Sequence, residues 1–376
     1  MSQLTYMPVF RLKQEEKKVF STFLFGKRIY PLIEIIKERD RKEPTMRKGV
    51  PLPPKRGKSF STIHLSILSK IQAEKVFVDL PIHLNVTRRS NADTLSFITE
   101  IKRDRKKRTD YIISLKTLAK KIIPVISSYH EYTGEISSIK LQERDLRSHY
   151  SQLAFRTFTK NFNSDFAQIV SVAQHNDYII LDLKEDPADP NDEDLLDVTE
   201  RLKKFTKCPW IIVRSAIKES ISNVKLDHGK IISDADNHLL STFKDLGASS
   251  FGDYAGIKRG STSEGGAVSP GFIYYDPIKN SYYGFRGSVN SEGKTNGRFD
   301  DFADIIVPAA ISSPATSRMR SSPLLYICEG NKGWQLLDAI ANELENWRNQ
   351  GLFKRISMYH YLHCLKTRIN AGHFDN

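Results

Sequence analysis

Three carboxylates stand inside or at the edge of apolar runs: Glu34 in Leu-Ile-Glu-Ile-Ile, Asp79 in Val-Phe-Val-Asp-Leu and Asp182 in Ile-Ile-Leu-Asp-Leu. A carboxylate carried into an apolar interior must be paired, hydrogen-bonded or metal-bound, because desolvation strongly disfavours a bare charge. Arg156 and Arg214 fall at comparable places in Leu-Ala-Phe-Arg-Thr and Ile-Ile-Val-Arg-Ser. Such a set can pair internally, bind a hard divalent cation such as magnesium, or grip a phosphate or carboxylate bidentately. Lys13, Gln14, Ser127, Ser128, Ser215 and Asp253 also lie at the ends of apolar runs.

Two readings of this set follow. In one, the acids and arginines form a salt-bridge network with no ligand. In the other, Glu34, Asp79 and Asp182 are catalytic and hold a cation for phosphoester cleavage, while Lys13, Gln14, Arg156, Arg214 and Asp253 bind the ligand. Acids together with arginines point to phosphate esters or nucleotides more than to neutral sugars.

Other candidates carry less chemistry. His130-Glu131 is a common surface neighbour pair. His360 and His363 share a helical face in Tyr-His-Tyr-Leu-His-Cys-Leu and read as core or interface histidines. The glycines at Gly260–Gly266 lack the lysine and the strand–helix context of a phosphate loop. No GxSxG, HExxH or kinase-type set occurs.

The elements that must position these residues are short apolar runs alternating with helical stretches. Strands are predicted over Met7–Leu12, Tyr30–Ile36, Lys75–Leu80, Lys121–Ser127, Ser151–Thr157, Asp177–Leu183, Pro209–Arg214 and Ala248–Tyr254. Near-continuous apolar runs of this length mark parallel strands buried on both faces. Eight of them match a (β/α)8 TIM-like barrel, in which function gathers where the strands end. A doubly wound open sheet would carry a glycine-rich loop after its first strand, and Arg-Leu-Lys-Gln-Glu-Glu has no glycine. Helices are predicted over Glu15–Phe25, Lys218–Ser222, Asp236–Leu246 and Gly333–Gln350, among others. Residues 1–255 are read as the barrel and residues 256–376 as an α+β cap, which opens on a Gly/Ser loop and the hairpin Phe272–Arg286. A loop is expected at Ser312–Pro323, and an aromatic, His-rich segment at Ile356–Ile369.

The totals bound the partners. A net charge of +13 favours polyanions such as nucleic acid or nucleotides. The basic runs Lys37–Lys58 and Lys102–Arg108 are interleaved with acids, however, and read first as solvated faces. Three cysteines, Cys208, Cys328 and Cys364, lack disulfide or metal spacing and suggest a reducing, cytoplasmic setting. No run is long enough to span a membrane, and the opening residues do not read as a signal peptide.

The chain resembles the phage and bacterial "beta protein" family. The resemblance runs through Tyr-Met-Pro-Val-Phe-Arg-Leu-Lys-Gln-Glu-Glu and five apolar runs: Tyr-Pro-Leu-Ile-Glu-Ile, Val-Phe-Val-Asp-Leu, Ile-Ile-Pro-Val-Ile-Ser, Leu-Ala-Phe-Arg-Thr and Ile-Leu-Asp-Leu. It continues through Ser-Phe-Gly-Asp-Tyr-Ala-Gly, the hairpin Ile-Tyr-Tyr-Asp-Pro-Ile-Lys-Asn-Ser-Tyr-Tyr-Gly-Phe-Arg-Gly and the Arg-Ile-Ser-Met-Tyr-His-Tyr end. The chain departs from the family's pattern in Lys13-Gln14-Glu15, which lacks a glycine, and in the spacing of His360 and His363. The resemblance implies a setting in prophages and mobile defence islands, hence a role in phage–host conflict. It also places Gln14, Glu15, Glu34, Asp79, Arg156, Asp182, Asp253 and Arg286 in shared motifs, and so adds Arg286 to the candidate ligand-binding residues. A catalytic site for a nucleotide or nucleic acid and a non-catalytic component that binds a partner protein both remain open.

Overall fold

The computed structural model describes residues 4–39, 46, 47, 50, 51, 58–88, 90–260, 269–294, 296–344 and 349–375. Eight strands close a barrel: β1 (Tyr6–Arg11), β2 (Leu32–Glu34), β3 (Val76–Asp79), β4 (Ile122–Ser127), β5 (Ala154–Phe158), β6 (Tyr178–Asp182), β7 (Trp210–Val213) and β8 (Ser250–Asp253). They follow one another round the ring in chain order, and every neighbouring pair is parallel, including β8 with β1. Six lie within their predicted runs; β1 begins one residue before its run, at Tyr6, and β5 ends one residue past its run, at Phe158. Successive side chains alternate between the barrel interior and the surrounding helices. Met7, Leu32, Phe77, Val125, Ile180 and Val213 pack together inside, whereas Phe10, Ile33, Val78 and Leu181 face the outer core.

The principal helices are α1 (Gln14–Phe20), α2 (Phe60–Leu68), α3 (Ala92–Arg103), α4 (Arg105–Ile113), α5 (Ser138–Arg147), α6 (Phe162–Val172), α7 (Glu193–Lys204), α8 (Leu239–Thr242), α9 (Pro314–Arg320), α10 (Lys332–Ala341) and α11 (Gln350–Asn370). Polar caps set several starts. Ser59, Asn91, Asp104, Asp192 and Asn349 each accept an orphan backbone N–H of the following first turn. Asp104 is at once the C-cap of α3 and the N-cap of α4, so the run Lys102–Arg108 is broken rather than continuous.

The structure corrects several predicted boundaries. The first helix ends at Phe20, because Leu24–Gly26 turns back to pair in parallel with Gln72–Ala73. Residues Lys218–Ser222 are not helical; Ile217 there bridges to Ala235. The Asp236–Leu246 helix shrinks to α8. Within the predicted loop Ser312–Pro323, Pro314 sits at the first turn of α9 and Ser313 caps it. The helix expected over Gly333–Gln350 stops at Ala341, leaving Leu344 exposed; Trp347 lies outside the described residues. Most of Lys37–Lys58 and of the glycine-rich loop after Gly260 lie outside them as well.

After β8 the chain forms the hairpin β9 (Gly271–Asp276) and β10 (Ser281–Arg286), joined by the two-residue strand Lys230–Ile231 from the β7–β8 connection. It then returns to the barrel in α11. Gln350, at its start, bonds Gly271 and Asn223, and near its end Lys366 Nζ donates to Leu24 O at 2.7 Å. Between them Tyr359 Oη donates to Lys18 O at 3.1 Å, and Lys354 pairs with Glu16 at 2.5 Å. Thus α11 runs alongside β8 and α1, in the place of a barrel's eighth helix. Its other side meets the hairpin and α10: Ser357 Oγ donates to Ile273 O, and Gly333 lies so close to His360 that a Cβ would meet its backbone at 2.5 Å. Being covered on both sides explains why this helix carries buried residues all round rather than on one stripe. Among the described residues, no helix is long and apolar enough to cross a membrane.

Candidate functional site: an ion cluster at the barrel mouth

Strand parity decides which charges meet. Arg11, Glu34, Asp79, Ser127 and Asp182, at the C-terminal ends of their strands, and Arg156, midway along β5, have interior parity on six consecutive strands. Arg156 lies at the centre. Its Nη1 donates to Glu34 Oε1 at 2.9 Å and Asp79 Oδ2 at 2.8 Å, and its Nε and Nη2 donate to Asp182 Oδ2 at 3.1 and 2.6 Å. Arg11 Nε donates to Glu34 Oε2 at 3.2 Å. Arg108, fully buried on α4, donates to Asp79 Oδ1 at 3.0 Å and to Gln142, Leu80 O and Val125 O. Lys184, at a left-handed φ of 57°, turns its amide back to Asp182 Oδ1 at 2.8 Å. Both oxygens of all three carboxylates are therefore engaged.

The electrostatics follow from this pairing. Burial pushes the Glu34 carboxyl up, but Arg11, His83 and Arg156 pull it well below its ordinary value. Asp182 is lowered too: burial opposes its charge, and Arg156 and Arg259 outweigh that. All three acids and Arg156 have side chains 0% exposed in their ion pairs. A pair so buried is strongly destabilising to break from one side, although its net contribution to stability is small.

Three polar groups at the mouth remain without hydrogen bonds. Among the described residues they are the buried Ser127 Oγ, the ring of His83, whose Nε2 comes no nearer than 3.5 Å to Glu34 Oε1, and the half-buried guanidinium of Arg259. Arg259 lies over the Tyr254 ring, 5.9 Å from its centroid, and Gly260 O accepts from Arg11 Nη1. The segment leaving β8 thus crosses the mouth.

The predicted site residues separate. Glu34, Asp79, Asp182 and Arg156 come together. Lys13 precedes α1 and Gln14 opens it, exposed, outside the cluster. Arg214 has outward parity and donates to Asp186 O and to Asp236. Asp253 also faces outward and accepts from Tyr6 Oη at 2.6 Å, from Ala255 N at 2.8 Å and from Tyr361 Oη. Arg286 belongs to the hairpin and donates to Val224 O at 3.0 Å. Among the weaker candidates, Glu131 pairs with Lys160, and His360 is a buried core histidine between Asn331 and Tyr275 O, held neutral down to about 3 by burial.

Arg11, His83, Arg108 and Arg259 were missed. Arg11 was legible as an interior-parity residue, two positions after Val9. Arg108 was hidden in the basic run expected to be a solvated face. The run in fact divides: Lys106 and Lys107 make exposed pairs with Asp110 and Glu100, while Arg105 and Arg108 turn inward.

As they stand, the three carboxylates do not fit a divalent cation. Their oxygens are filled by arginines and an amide, and no group of three or more His, Cys, Asp or Glu among the described residues is arranged to hold a metal. What is spare at the mouth is cationic and hydrogen-bonding.

The fold and cluster define a closed (β/α)8 barrel whose mouth carries an arginine-centred ion network. The model of the family described as Beta protein matches residues 6–365, and the chain belongs to that family. No curated protein matches it.

Proposed function

We propose that the barrel mouth recognises a phosphate-bearing ligand, a nucleotide or a nucleic-acid end, without cleaving it. One observation carries this reading. The acids are saturated, whereas the Arg259 guanidinium, whose charge acts on Glu34 and Asp182, has no hydrogen-bonding partner among the described residues. A guanidinium of this kind suits bidentate capture of a phosphate. Arg11, Arg108 and Arg156 match Glu34, Asp79 and Asp182 in number, so Arg259 is surplus positive charge. The carboxylates hold the arginines in place.

Metal-assisted phosphoester cleavage by Glu34, Asp79 and Asp182 would require Arg156 to surrender its contacts to the cation. The saturated acids therefore favour a binding component. In the phage–host setting implied by the family resemblance, it would serve a multi-protein defence assembly and use the bound phosphate as a signal or tether.

Thermal melting and calorimetry with magnesium, manganese, nucleotides and 5′-phosphorylated or 5′-hydroxyl oligonucleotides test this. A phosphate-dependent stabilisation without metal is expected, weakened about tenfold or more in Arg259→Ala, which corresponds to about 1.4 kcal/mol. Stabilisation by magnesium alone, lost in Asp182→Asn and indifferent to Arg259→Ala, would instead support the cation reading.

A further inference from the structure

His83 lies four residues beyond β3, and its side chain is 2% exposed. Its ring packs against Phe158 with centroids 5.2 Å apart, and Nε2 stands 3.5 Å from Glu34 Oε1, a long contact at the edge of hydrogen-bonding reach, while Nδ1 has no partner. Four charged groups act on it: Glu34 from β2, Arg156 from β5, Asp182 from β6 and Arg259 from the segment after β8. Ser127 Oγ, also buried and unpaired, ends β4 in register with Arg156. Buried polar atoms without partners are rare in folded proteins and mark places where a water, an ion or a reacting group belongs. Here His83 feels the charge of Arg259, whose guanidinium has no hydrogen bond among the described residues.

The free imidazole is neutral, because burial and the neighbouring arginines hold it down to about 4 and outweigh Glu34. A phosphate at Arg259 would change that balance. It neutralises the guanidinium and brings a second negative charge to the ring, and nearby opposite charge favours the protonated form. We infer that His83 is the protonatable contact of the mouth, so that a phosphate-bearing ligand binds with uptake of a proton. The proton comes from solvent and adds to a ring nitrogen; no other bond is made or broken. The imidazolium then donates to Glu34 on one side and to a phosphate oxygen on the other. This inference rests on the phosphate reading above.

Calorimetry with sulfate and adenosine monophosphate, in buffers of differing ionisation enthalpy, tests it. Sulfate does not titrate near neutrality. Near pH 8 the monophosphate is already fully ionised, since its second ionisation lies near 6. With sulfate in mildly acidic buffer, just above the His83 value of about 4 in the free protein, the wild-type protein should take up a measurable fraction of a proton, with affinity falling as pH rises. In His83→Gln the uptake should vanish and binding weaken about tenfold. Should that variant fail to fold, the histidine ¹⁵N resonances of the wild type decide, because one buried ring must become doubly protonated when sulfate is added. Binding without proton uptake, uptake retained in His83→Gln, or rings unchanged by bound sulfate would overturn the role of His83 and leave the phosphate reading standing. Failure of both probes to bind would overturn both.

Discussion

Asp182 and Asp253 end two barrel strands in the same local frame. Each is followed two residues later by a non-glycine residue in the left-handed region, Lys184 at φ 57° and Ala255 at φ 52°, whose amide donates back to the carboxylate. From there they diverge. Asp182 has interior parity and meets a guanidinium, so its carboxyl is held below the ordinary range. Asp253 has outward parity and meets only tyrosine hydroxyls and an amide. Burial then dominates and raises its carboxyl to about 6. A cation compensates the desolvation of a carboxylate where neutral donors do so only in part. Which partner is met is decided by one step of strand register.

The sharpest way to break this contrast is Arg156→Met. It leaves three buried carboxylates short of their central partner and should lower stability at pH 7 by at least ~3–5 kcal/mol, measured by urea unfolding. Glu34 and Asp182 are depressed in the folded state. Their stabilisation is therefore present above their unfolded values and lost as pH falls through the folded ones, so the gap between wild type and variant should narrow in acid. A loss below about 1 kcal/mol would show that the network is solvated.

Matched substitutions of the two aspartates sharpen the comparison. Asp182→Asn should cost ~2–3 kcal/mol near neutrality, by leaving Arg156 undercompensated. Asp253 behaves oppositely with pH. Its folded value of about 6 lies above the unfolded one, near 3.8, so its contribution is full below the latter and lost as pH rises through the former. Relative to Asp253→Asn, the wild type should lose about 1–3 kcal/mol between acid and neutral pH, as read by melting across that window. A parallel trend for both aspartates would sink the contrast. Arg286→Ala, remote from both sites, should change stability by no more than about 0.5 kcal/mol and leave phosphate affinity unaltered.

The same parity explains what was readable in the sequence. All eight strands fall on their predicted runs, overshooting by at most one residue, because strands buried on both faces leave unbroken apolar stretches. That continuity conceals the alternation between inside and outside. Arg214 and Asp253 consequently looked equivalent to Arg156 and Asp182, though each points the other way. His83 and Arg259 lie on connections whose path across the mouth has no sequence period, and Arg108 wore the disguise of a charged helix. The expected helix over Glu15–Phe25 failed for a tertiary reason, the pairing of Leu24–Gly26 with Gln72–Ala73, which local propensity does not encode.

The place of α11 has a consequence for synthesis. The eight strands are all translated by Asp253, yet the helix that covers the outer face of β8 and β1 begins roughly a hundred residues later, at Gln350. At about 5–20 residues per second, the nascent barrel waits some 5–20 seconds with Tyr6 and Asp253 lacking Tyr361. The ring is finished on the ribosome before its wall is, and that interval is when a chaperone would find an apolar seam to hold.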